Sequence, residues 1–183
     1  MGLVDGTSLS FVARPFIKSL GAPMPSRALY AGSFDPITLG HLDLIKRSAA
    51  IFDHVVVAVG HNPEKPGLFT VDERLNMIKD ACRGIKNLTL ASYSGLTADF
   101  ARRQKCGVLV RGLRDSRDFC SEMQMAHMNR RLDAKIETIF LPGLQEFSNV
   151  SSSLMKEVIS LGGDISGLVP PMVEKALRKK FKG

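Results

Sequence analysis

Short apolar runs alternate with amphipathic stretches along most of the chain. The run His54–Gly60 is almost continuously apolar, which is typical of a strand buried on both faces of a parallel sheet. Leu42, Ile45, Ala49 and Phe52 recur at helical spacing. The predicted strands are Arg27–Phe34, His54–Gly60, Asn87–Tyr93, Gly107–Leu113 and Ile136–Leu141, and the predicted helices are Thr38–Phe52, Thr70–Arg83, Leu96–Lys105, Ser116–Leu132, Ser151–Leu161 and Pro170–Phe181. Five strand–helix units in succession predict an α/β fold with a doubly wound, parallel, five-stranded sheet.

Residues 1–23 differ in character from the rest of the chain, because they show neither a helical nor a strand period. They also lack the basic region and the long apolar core of a signal peptide. Met24 directly precedes the first predicted strand and has the position of a natural start. We therefore expect a single domain over residues 24–183 and interpret residues 1–23 as an extension, a tag remnant or part of a misassigned start.

The composition restricts the compartment and the ligands of the protein. A net charge of +7 favours anionic ligands, namely nucleotides, phosphates or nucleic acid. Cys82, Cys106 and Cys120 form no paired motif and are odd in number, which favours a reducing cytoplasm. No apolar run approaches the roughly 20 residues of a membrane span. The sequence also lacks zinc-ligand spacing and both the Walker and the dinucleotide-binding glycine motifs.

Four motifs rich in polar residues or glycine follow the first four predicted strands, at residues 33–41, 62–65, 95–97 and 111–114. Because ligands of parallel α/β sheets bind at the carboxyl ends of the strands, these motifs predict one site at that edge. In the first motif a helix begins near Thr38, and His41 falls in its first turn. A helix N-terminus attracts phosphate, and His41 could donate to the same anion. Taken alone, this motif also fits an ordinary strand–helix loop.

Positively charged side chains in two of these motifs are candidates for phosphate binding. Lys65 is either a solvated loop lysine or an ammonium group that meets the oxygens of a transferred phosphate. Arg111 and Arg114 follow an apolar run and have the forked geometry that clamps phosphate. The alternative is that a strand-end arginine is paired with Asp115 or Asp118.

Two helices carry further candidate groups. Met125 and Asn129 lie about one helical turn apart and could line an adaptable pocket for a flexible, amide-bearing substrate. The alternative is that this methionine-rich face fills the core. Ser151–Ser153 precede a later helix, where one serine can be the N-cap and the other hydroxyls could bind the β- and γ-phosphates of a nucleotide.

In this order and spacing, the motifs resemble those of a known enzyme family. Residues 32–41 match the Gly-x-Phe-Asp-Pro-x-Thr-x-Gly-His signature of the nucleotidyltransferase superfamily. Residues 111–114 are Arg-Gly-Leu-Arg, residues 118–130 match Asp-Phe-x-x-Glu-Met-x-x-Ala-His-Met-Asn-Arg, and residues 151–157 match Ser-Ser-Ser-Leu-x-Lys-Glu. Together they resemble the bacterial phosphopantetheine adenylyltransferases.

The resemblance implies a Rossmann-like nucleotidyltransferase fold and a reversible transfer of AMP from ATP to 4′-phosphopantetheine. The products would be dephospho-coenzyme A and pyrophosphate, in coenzyme A biosynthesis. The implied cofactor is Mg²⁺, bound mainly through phosphates and not by protein ligands. The resemblance further implies a cytoplasmic homo-oligomer, a hexamer, with coenzyme A as a candidate feedback inhibitor and with neither nucleic acid nor a membrane as partner.

The resemblance also implies a role for each matching residue. The expected catalytic residues are His41, Lys65 and Arg111. The acceptor substrate would contact Ser33, Lys65, Thr97, Arg111, Met125 and Asn129. ATP would contact Ser33, Phe34, His41, Gly112, Leu113, Arg114, Glu122, Phe147, Ser148, Asn149, Val150, Ser151, Ser152 and Ser153, with Glu122 near its ribose or adenine.

Two alternatives stay open on the residues alone. The nearest is an adenylyltransferase for nicotinate mononucleotide, but that family tends to end in a Ser-Thr-x-x-Arg element, whereas Leu154 and Met155 follow Ser153 here. The other is a catalytically inactive module that binds nucleotides or nucleic acid. The net charge of +7 permits this alternative, but no tryptophan and only two tyrosines leave few platforms for base stacking.

Overall fold

A five-stranded parallel sheet lies at the centre of the computed structural model, which describes residues 27–62, 64, 66–114 and 116–181. The strand order is β3-β2-β1-β4-β5. The strands are β1 (Arg27–Gly32), β2 (His54–Gly60), β3 (Leu88–Tyr93), β4 (Val108–Leu113) and β5 (Glu137–Pro142). The order reverses between β1 and β4, as in a doubly wound sheet, so the predicted fold class is confirmed.

Within the described residues, six helices cover the two faces of this sheet. They are α1 (Leu39–Ile51), α2 (Val71–Ala81), α3 (Thr97–Arg103), α4 (Ser116–Leu132), α5 (Ser152–Ser160) and α6 (Pro171–Phe181), and a short 3₁₀ turn lies at Gln145–Phe147. Because side chains alternate along a strand, Ala28 and Tyr30 of β1 join the core under α1, α2, α5 and α6. Leu29 and Ala31 join a second core, under α3. Among the described helices, none is long and apolar enough to cross a membrane.

The first strand is shorter than its sequence pattern predicts. It ends at Gly32 and not at Phe34, because Phe34 has a φ of 45° and turns the chain away from the sheet. The Phe34 ring then packs back onto Gly32, where an added Cβ would lie 3.2 Å from it. The predicted helix Leu96–Lys105 is also shorter and spans Thr97–Arg103. The predicted extension, residues 1–23, lies outside the described residues.

Three of the helices begin at a residue whose side chain caps them. Thr38 is the N-cap of α1, and its side chain accepts from the His41 amide. Thr70 and Glu73 form a capping box at the start of α2. Ser151 is the N-cap of α5 and accepts from the amide of Leu154. These caps fix where α1, α2 and α5 begin, and therefore which residues face the carboxyl edge of the sheet.

Candidate active site

Two neighbouring cavities open at the carboxyl edge of the sheet, where the strand order reverses. The first cavity has a volume of about 310 Å³ and the second of about 320 Å³. Ala31, Gly32, Ser33 and Arg111 line both of them. The end of β1 and the end of β4 therefore form a common wall, at which ligands in the two cavities would meet.

The first cavity brings together residues from the β1–α1 turn, the end of β4 and the segment before α5. The sequence-predicted residues that line it are Ser33, His41, Arg111, Gly112, Arg114, Glu122, Phe147, Val150, Ser151, Ser152 and Ser153. Thr38 and Gly40 line it as well, so the N-terminus of α1 opens into the cavity. Two helix N-termini, those of α1 and α5, thus face the same space, which suits an anion with several phosphates.

His41 is held by its own helix cap. Its Nδ1 accepts a hydrogen bond from the Thr38 amide at 3.1 Å and lies 3.0 Å from the Thr38 hydroxyl oxygen. The hydrogen bond from the amide assigns the ring proton to Nε2. Burial, followed by the charges of Arg114 and Arg111, lowers the pKa of His41 from 6.5 to about 4. At neutral pH His41 is therefore an uncharged imidazole with one N–H donor, and its ring packs edge-on against Phe34.

Arg111 is oriented by a two-pronged ion pair with Glu122. Its Nε and Nη2 each donate to one carboxylate oxygen of Glu122 at 2.6 Å, and Nη1 donates to the Ala31 carbonyl at 2.8 Å. Asp118 pairs with Arg114 at 2.9 Å, so the alternative of a strand-end arginine paired with Asp118 holds for Arg114, while Asp115 lies outside the described residues. Glu122 was expected near the ribose or adenine of ATP. Glu122 lines the first cavity, where its carboxylate pairs with Arg111, and its expected contact with ATP stays a prediction.

The three serines at the start of α5 do different things. Ser151 is the N-cap, and the Ser152 hydroxyl donates to the Pro36 carbonyl at 2.7 Å. This bond ties the start of α5 to the β1–α1 turn. Ser153 is exposed in the first cavity. The N-terminus of α5 therefore uses the Ser151 hydroxyl as its cap and the Ser152 hydroxyl to bind the β1–α1 turn, and the Ser153 hydroxyl faces the cavity.

The second cavity has apolar walls and a few polar groups. Leu29, Leu109 and Val110 contribute buried side chains. The sequence-predicted residues that line it are Ser33, Thr97, Arg111, Met125 and Asn129. Asn129 is the most informative of these, because the residue is only 6% exposed and yet lines the cavity. A carboxamide has both donors and an acceptor, so a ligand amide would be a suitable partner for it.

The methionine-rich face of α4 does not fill the core. Met125 is 53% exposed and Met128 is 52% exposed. The alternative interpretation of these residues as core packing is therefore wrong. Met125 instead forms a flexible rim of the second cavity, which suits an elongated ligand.

A buried charge cluster behind the first cavity was missed by the sequence analysis. The Asp35 carboxylate accepts from the amides of Leu68 and Phe69, both at 2.9 Å, and pairs with Lys156 at 3.2 Å and with Arg74 at 3.7 Å. Burial opposes its ionisation, but the two amides and Lys156 outweigh burial and hold the pKa of Asp35 below its usual value. Asp35 thereby joins the β1–α1 turn, the β2–α2 loop and α5.

Several predicted site residues do not line either cavity. Phe34 is buried beneath Gly32 and His41. Leu113 ends β4, and its carbonyl accepts from the Gly143 amide at 2.7 Å. Ser148 donates to the Gln145 carbonyl within the 3₁₀ turn, and Asn149 is exposed beside it. Lys65 lies outside the described residues, although its neighbours belong to the loop that Asp35 anchors.

Comparisons of the sequence with protein families and with known proteins identify the family to which this chain belongs. Residues 29–158 match the model of the cytidylyltransferase-like family. The chain is 51% identical, over 155 residues, to the phosphopantetheine adenylyltransferase of Symbiobacterium thermophilum, and the match covers 85% of this chain and 96% of that protein. This chain belongs to the phosphopantetheine adenylyltransferase family. The family resemblance of the sequence motifs is thereby confirmed.

Solved structures place the phosphopantetheine adenylyltransferase fold of this chain among the Rossmann-like nucleotidyltransferases. A putative nicotinate-nucleotide adenylyltransferase from Vibrio parahaemolyticus superposes with a TM-score of 0.63 at 18% identity, over 87% of this chain and 98% of that one. The nicotinic acid mononucleotide adenylyltransferase of Plasmodium falciparum, complexed with NaAD, gives 0.62 at 15% identity, over 85% and 94%. At these identities the likeness concerns the fold alone.

Proposed function

We propose that this protein transfers AMP from ATP to 4′-phosphopantetheine and releases pyrophosphate and dephospho-coenzyme A. The observation that carries the proposal is the pair of cavities that meet at Ser33 and Arg111. The first cavity, with its two helix N-termini, suits the triphosphate of ATP. The second, with apolar walls and the Asn129 carboxamide, suits an elongated chain with amide groups.

The reaction needs positioning more than it needs a strong base. A phosphate oxygen of phosphopantetheine attacks the α-phosphorus of ATP, a new P–O bond forms, and the bond to the β-phosphate bridging oxygen breaks. The attacking phosphate is already an anion at neutral pH, so no proton has to be removed from it. The protein must align two polyanions and stabilise the charge that develops around the α-phosphorus.

The charged residues at the common wall divide this task. Arg111 retains N–H groups that neither Glu122 nor the Ala31 carbonyl uses, and these can bind the acceptor phosphate together with Lys65. His41 lines the first cavity at the N-terminus of α1, and its Nε2–H can donate to the α-phosphate. The N-terminus of α5, with Ser153, can bind the departing pyrophosphate.

Mg²⁺ is proposed to enter with the phosphates of ATP. Among the residues described, no group of three or more His, Cys, Asp or Glu side chains could hold a metal ion. The two carboxylates that line the first cavity, Asp118 and Glu122, are paired with arginines. This donor set fits a cation whose main ligands are phosphate oxygens and water. Bound in that way, Mg²⁺ would neutralise part of the triphosphate charge.

The acceptor is tested by supplying two acceptors separately. Pyrophosphate release is measured with ATP, Mg²⁺ and either 4′-phosphopantetheine or nicotinate mononucleotide, and EDTA serves as the metal-removal control. We expect turnover with phosphopantetheine, loss of turnover with EDTA, and little turnover with nicotinate mononucleotide. Equal or faster turnover with nicotinate mononucleotide would overturn the proposed acceptor.

Assembly, compartment and regulation follow from family membership as proposals. We infer a cytoplasmic homohexamer, with coenzyme A as an inhibitor that occupies the acceptor cavity because it contains the same pantetheine arm. Sedimentation equilibrium tests the assembly, with an expected mass of six times the 20.0 kDa chain. Competition kinetics test the inhibitor, which should raise the KM for phosphopantetheine.

A further inference from the structure

We propose that Tyr93 is a specificity-determining residue of the second cavity, where its hydroxyl and that of Thr97 together bind one carbonyl of the acceptor's amide-bearing arm. The inference rests on the proposed acceptor. Tyr93 is the last residue of β3, and the sequence analysis did not single it out as a site residue. Thr97 was predicted to contact the acceptor, and the Tyr93 hydroxyl is the hydrogen-bond partner of the Thr97 hydroxyl.

The Tyr93 side chain is fixed from three sides. Its hydroxyl lies 2.8 Å from the Thr97 Oγ1, at the first residue of α3. Its ring stacks on Phe100, with centroids 4.5 Å apart and an interplanar angle of 12°. At Gly60 an added Cβ would lie 3.1 Å from the Tyr93 hydroxyl, so the absence of a side chain there makes room for the phenol. A polar group held this firmly is suited to recognising a ligand.

The hydroxyl pair has unused hydrogen-bonding capacity. Each hydroxyl has one proton and two lone pairs. Whichever of Tyr93 and Thr97 donates to the other, the accepting hydroxyl keeps its own proton. Both residues line the second cavity, so that proton can be donated to a ligand carbonyl.

The surroundings make such a hydrogen bond selective. The walls from Leu29, Leu109 and Val110 are apolar, so a ligand carbonyl buried against them without a donor would be costly. Asn129 supplies a separate polar side chain to this cavity. Two separate polar anchors in an apolar channel match an arm with two separate amides, and they discriminate against a compact nucleotide base.

The test removes one hydroxyl at a time. Tyr93→Phe and Thr97→Val should each raise the KM and the calorimetric Kd for 4′-phosphopantetheine by about 2- to 12-fold, the value of one net hydrogen bond. The KM for ATP should stay at the wild-type value, and the Tm should fall no further than in the control variant Thr89→Val, which also loses one hydroxyl contact. Thr89→Val is the matched control, because it removes a β3 hydroxyl that contacts His54 at 2.8 Å and lines neither cavity.

Substrate analogues separate recognition from a structural role. Two analogues of phosphopantetheine are prepared, each with one amide carbonyl replaced by a methylene group. One analogue lacks the carbonyl that the Tyr93 and Thr97 hydroxyls bind. Tyr93→Phe should bind this analogue no more weakly than the wild type does, because the hydrogen bond to that carbonyl is already missing. An equal loss on both analogues and on the parent compound would show that Tyr93 only supports the fold.

The remaining outcomes distinguish this inference from the proposed function. If the wild type transfers AMP to phosphopantetheine but Tyr93→Phe binds it unchanged, only the role of Tyr93 is overturned. If the wild type binds phosphopantetheine without turnover, the proposed function fails, and the analogue series still decides the role of Tyr93. If the wild type does not bind phosphopantetheine, both are overturned.

Discussion

At the scale of single residues, the protonation state of His41 decides what this side chain can do. Two nearby arginines and burial keep the ring uncharged, while the Thr38 amide keeps the proton on Nε2. A neutral imidazole can donate one hydrogen bond to an oxygen on which negative charge develops. Because its pKa of about 4 lies far below neutrality, it stays in this state over the whole range in which the enzyme would work.

Replacement of His41 by alanine should lower kcat far more than it weakens ATP binding. A donor aimed at developing charge is worth on the order of 10²–10³ in kcat. In the unmodified protein, kcat should show no inflection near pH 6.5 from this residue and should fall only as the pH approaches 4, where the ring gains a proton. Steady-state kinetics of both enzymes from pH 4 to 9 check both points. A His41→Ala enzyme within about twofold of the wild type would reduce His41 to a capping residue.

Some site residues could be predicted from the sequence and others could not, for a physical reason. The cap that holds His41 spans three residues, so a local motif contains all of it. The Arg111–Glu122 pair joins a strand to the helix after it, and its geometry depends on how α4 packs on the sheet. Asp35 finds partners 33 to 121 residues away, which no local pattern encodes.

Arg111→Ala and Lys65→Ala should each weaken phosphopantetheine binding, with a smaller effect on ATP alone. Charged hydrogen bonds to phosphate are worth about 1.5–3 kcal/mol, so the Kd for phosphopantetheine should rise roughly tenfold or more. Titration calorimetry with each ligand separately measures the split. Arg102→Ala, which removes an exposed arginine paired with Asp99, is the charge-matched control. If ATP affinity falls while phosphopantetheine affinity holds, the two assignments are reversed.

At the scale of elements, the Asp35 carboxylate links three parts of the site, namely the β1–α1 turn, the β2–α2 loop and α5. Asp35 accepts from the backbone of the β2–α2 loop, while Lys156 extends to it from α5. Arg74 of α2 donates to the Phe69 and Ser33 carbonyls beside it. The β2–α2 loop at Leu68 and Phe69 and the helix α5 are therefore held relative to the same turn.

Asp35→Ala should lower the free energy of unfolding by about 3–5 kcal/mol, because it leaves buried Arg74 without its counter-ion. Asp80→Ala is the control. It breaks an exposed pair with Arg83 and should change stability by less than about 1 kcal/mol. Urea denaturation measures both variants. A loss for Asp35→Ala no larger than that of the control would contradict the role of this cluster.

The pH dependence of stability gives an independent check on Asp35. The folded state lowers the pKa of this carboxyl, so its ionised form contributes stability above the pKa of the unfolded chain. That contribution is lost as the pH falls through about 4 and below. Wild-type protein should therefore lose more stability than Asp35→Asn over this range, because the amide does not titrate.

At the scale of the whole molecule, the order of the strands creates the site. The β1–β4 reversal separates the crossovers to the two faces and leaves a crevice above the central strands. The alternation of apolar strands and amphipathic helices was enough to predict this architecture, because it is repeated over five units. The sequence could not predict that two cavities share one wall, since that depends on the packing of α4 and of the segment before α5.

A chain that begins at Met24 should fold with the same Tm and transfer AMP at the same rate as the full chain. The sheet begins at Arg27, and every residue that lines the two cavities follows it. Residues 1–23 show no helical or strand period. Thermal denaturation measures the Tm of the two chains, pyrophosphate release measures their rates of AMP transfer, and sedimentation measures their assembly.

A chain that begins at Tyr30 provides the contrast. It lacks Arg27–Leu29, which pair with β2, and it loses Ala28 and Leu29 from the two cores. Burial of a leucine side chain alone contributes about 1.5–3 kcal/mol, so the Tm should fall by at least several degrees. If the chain from Met24 loses as much stability as this one, or loses its assembly, residues 1–23 contribute to the fold or to a contact between subunits. Equal stability and assembly of the Met24 chain and the full chain would mean that the functional unit is residues 24–183.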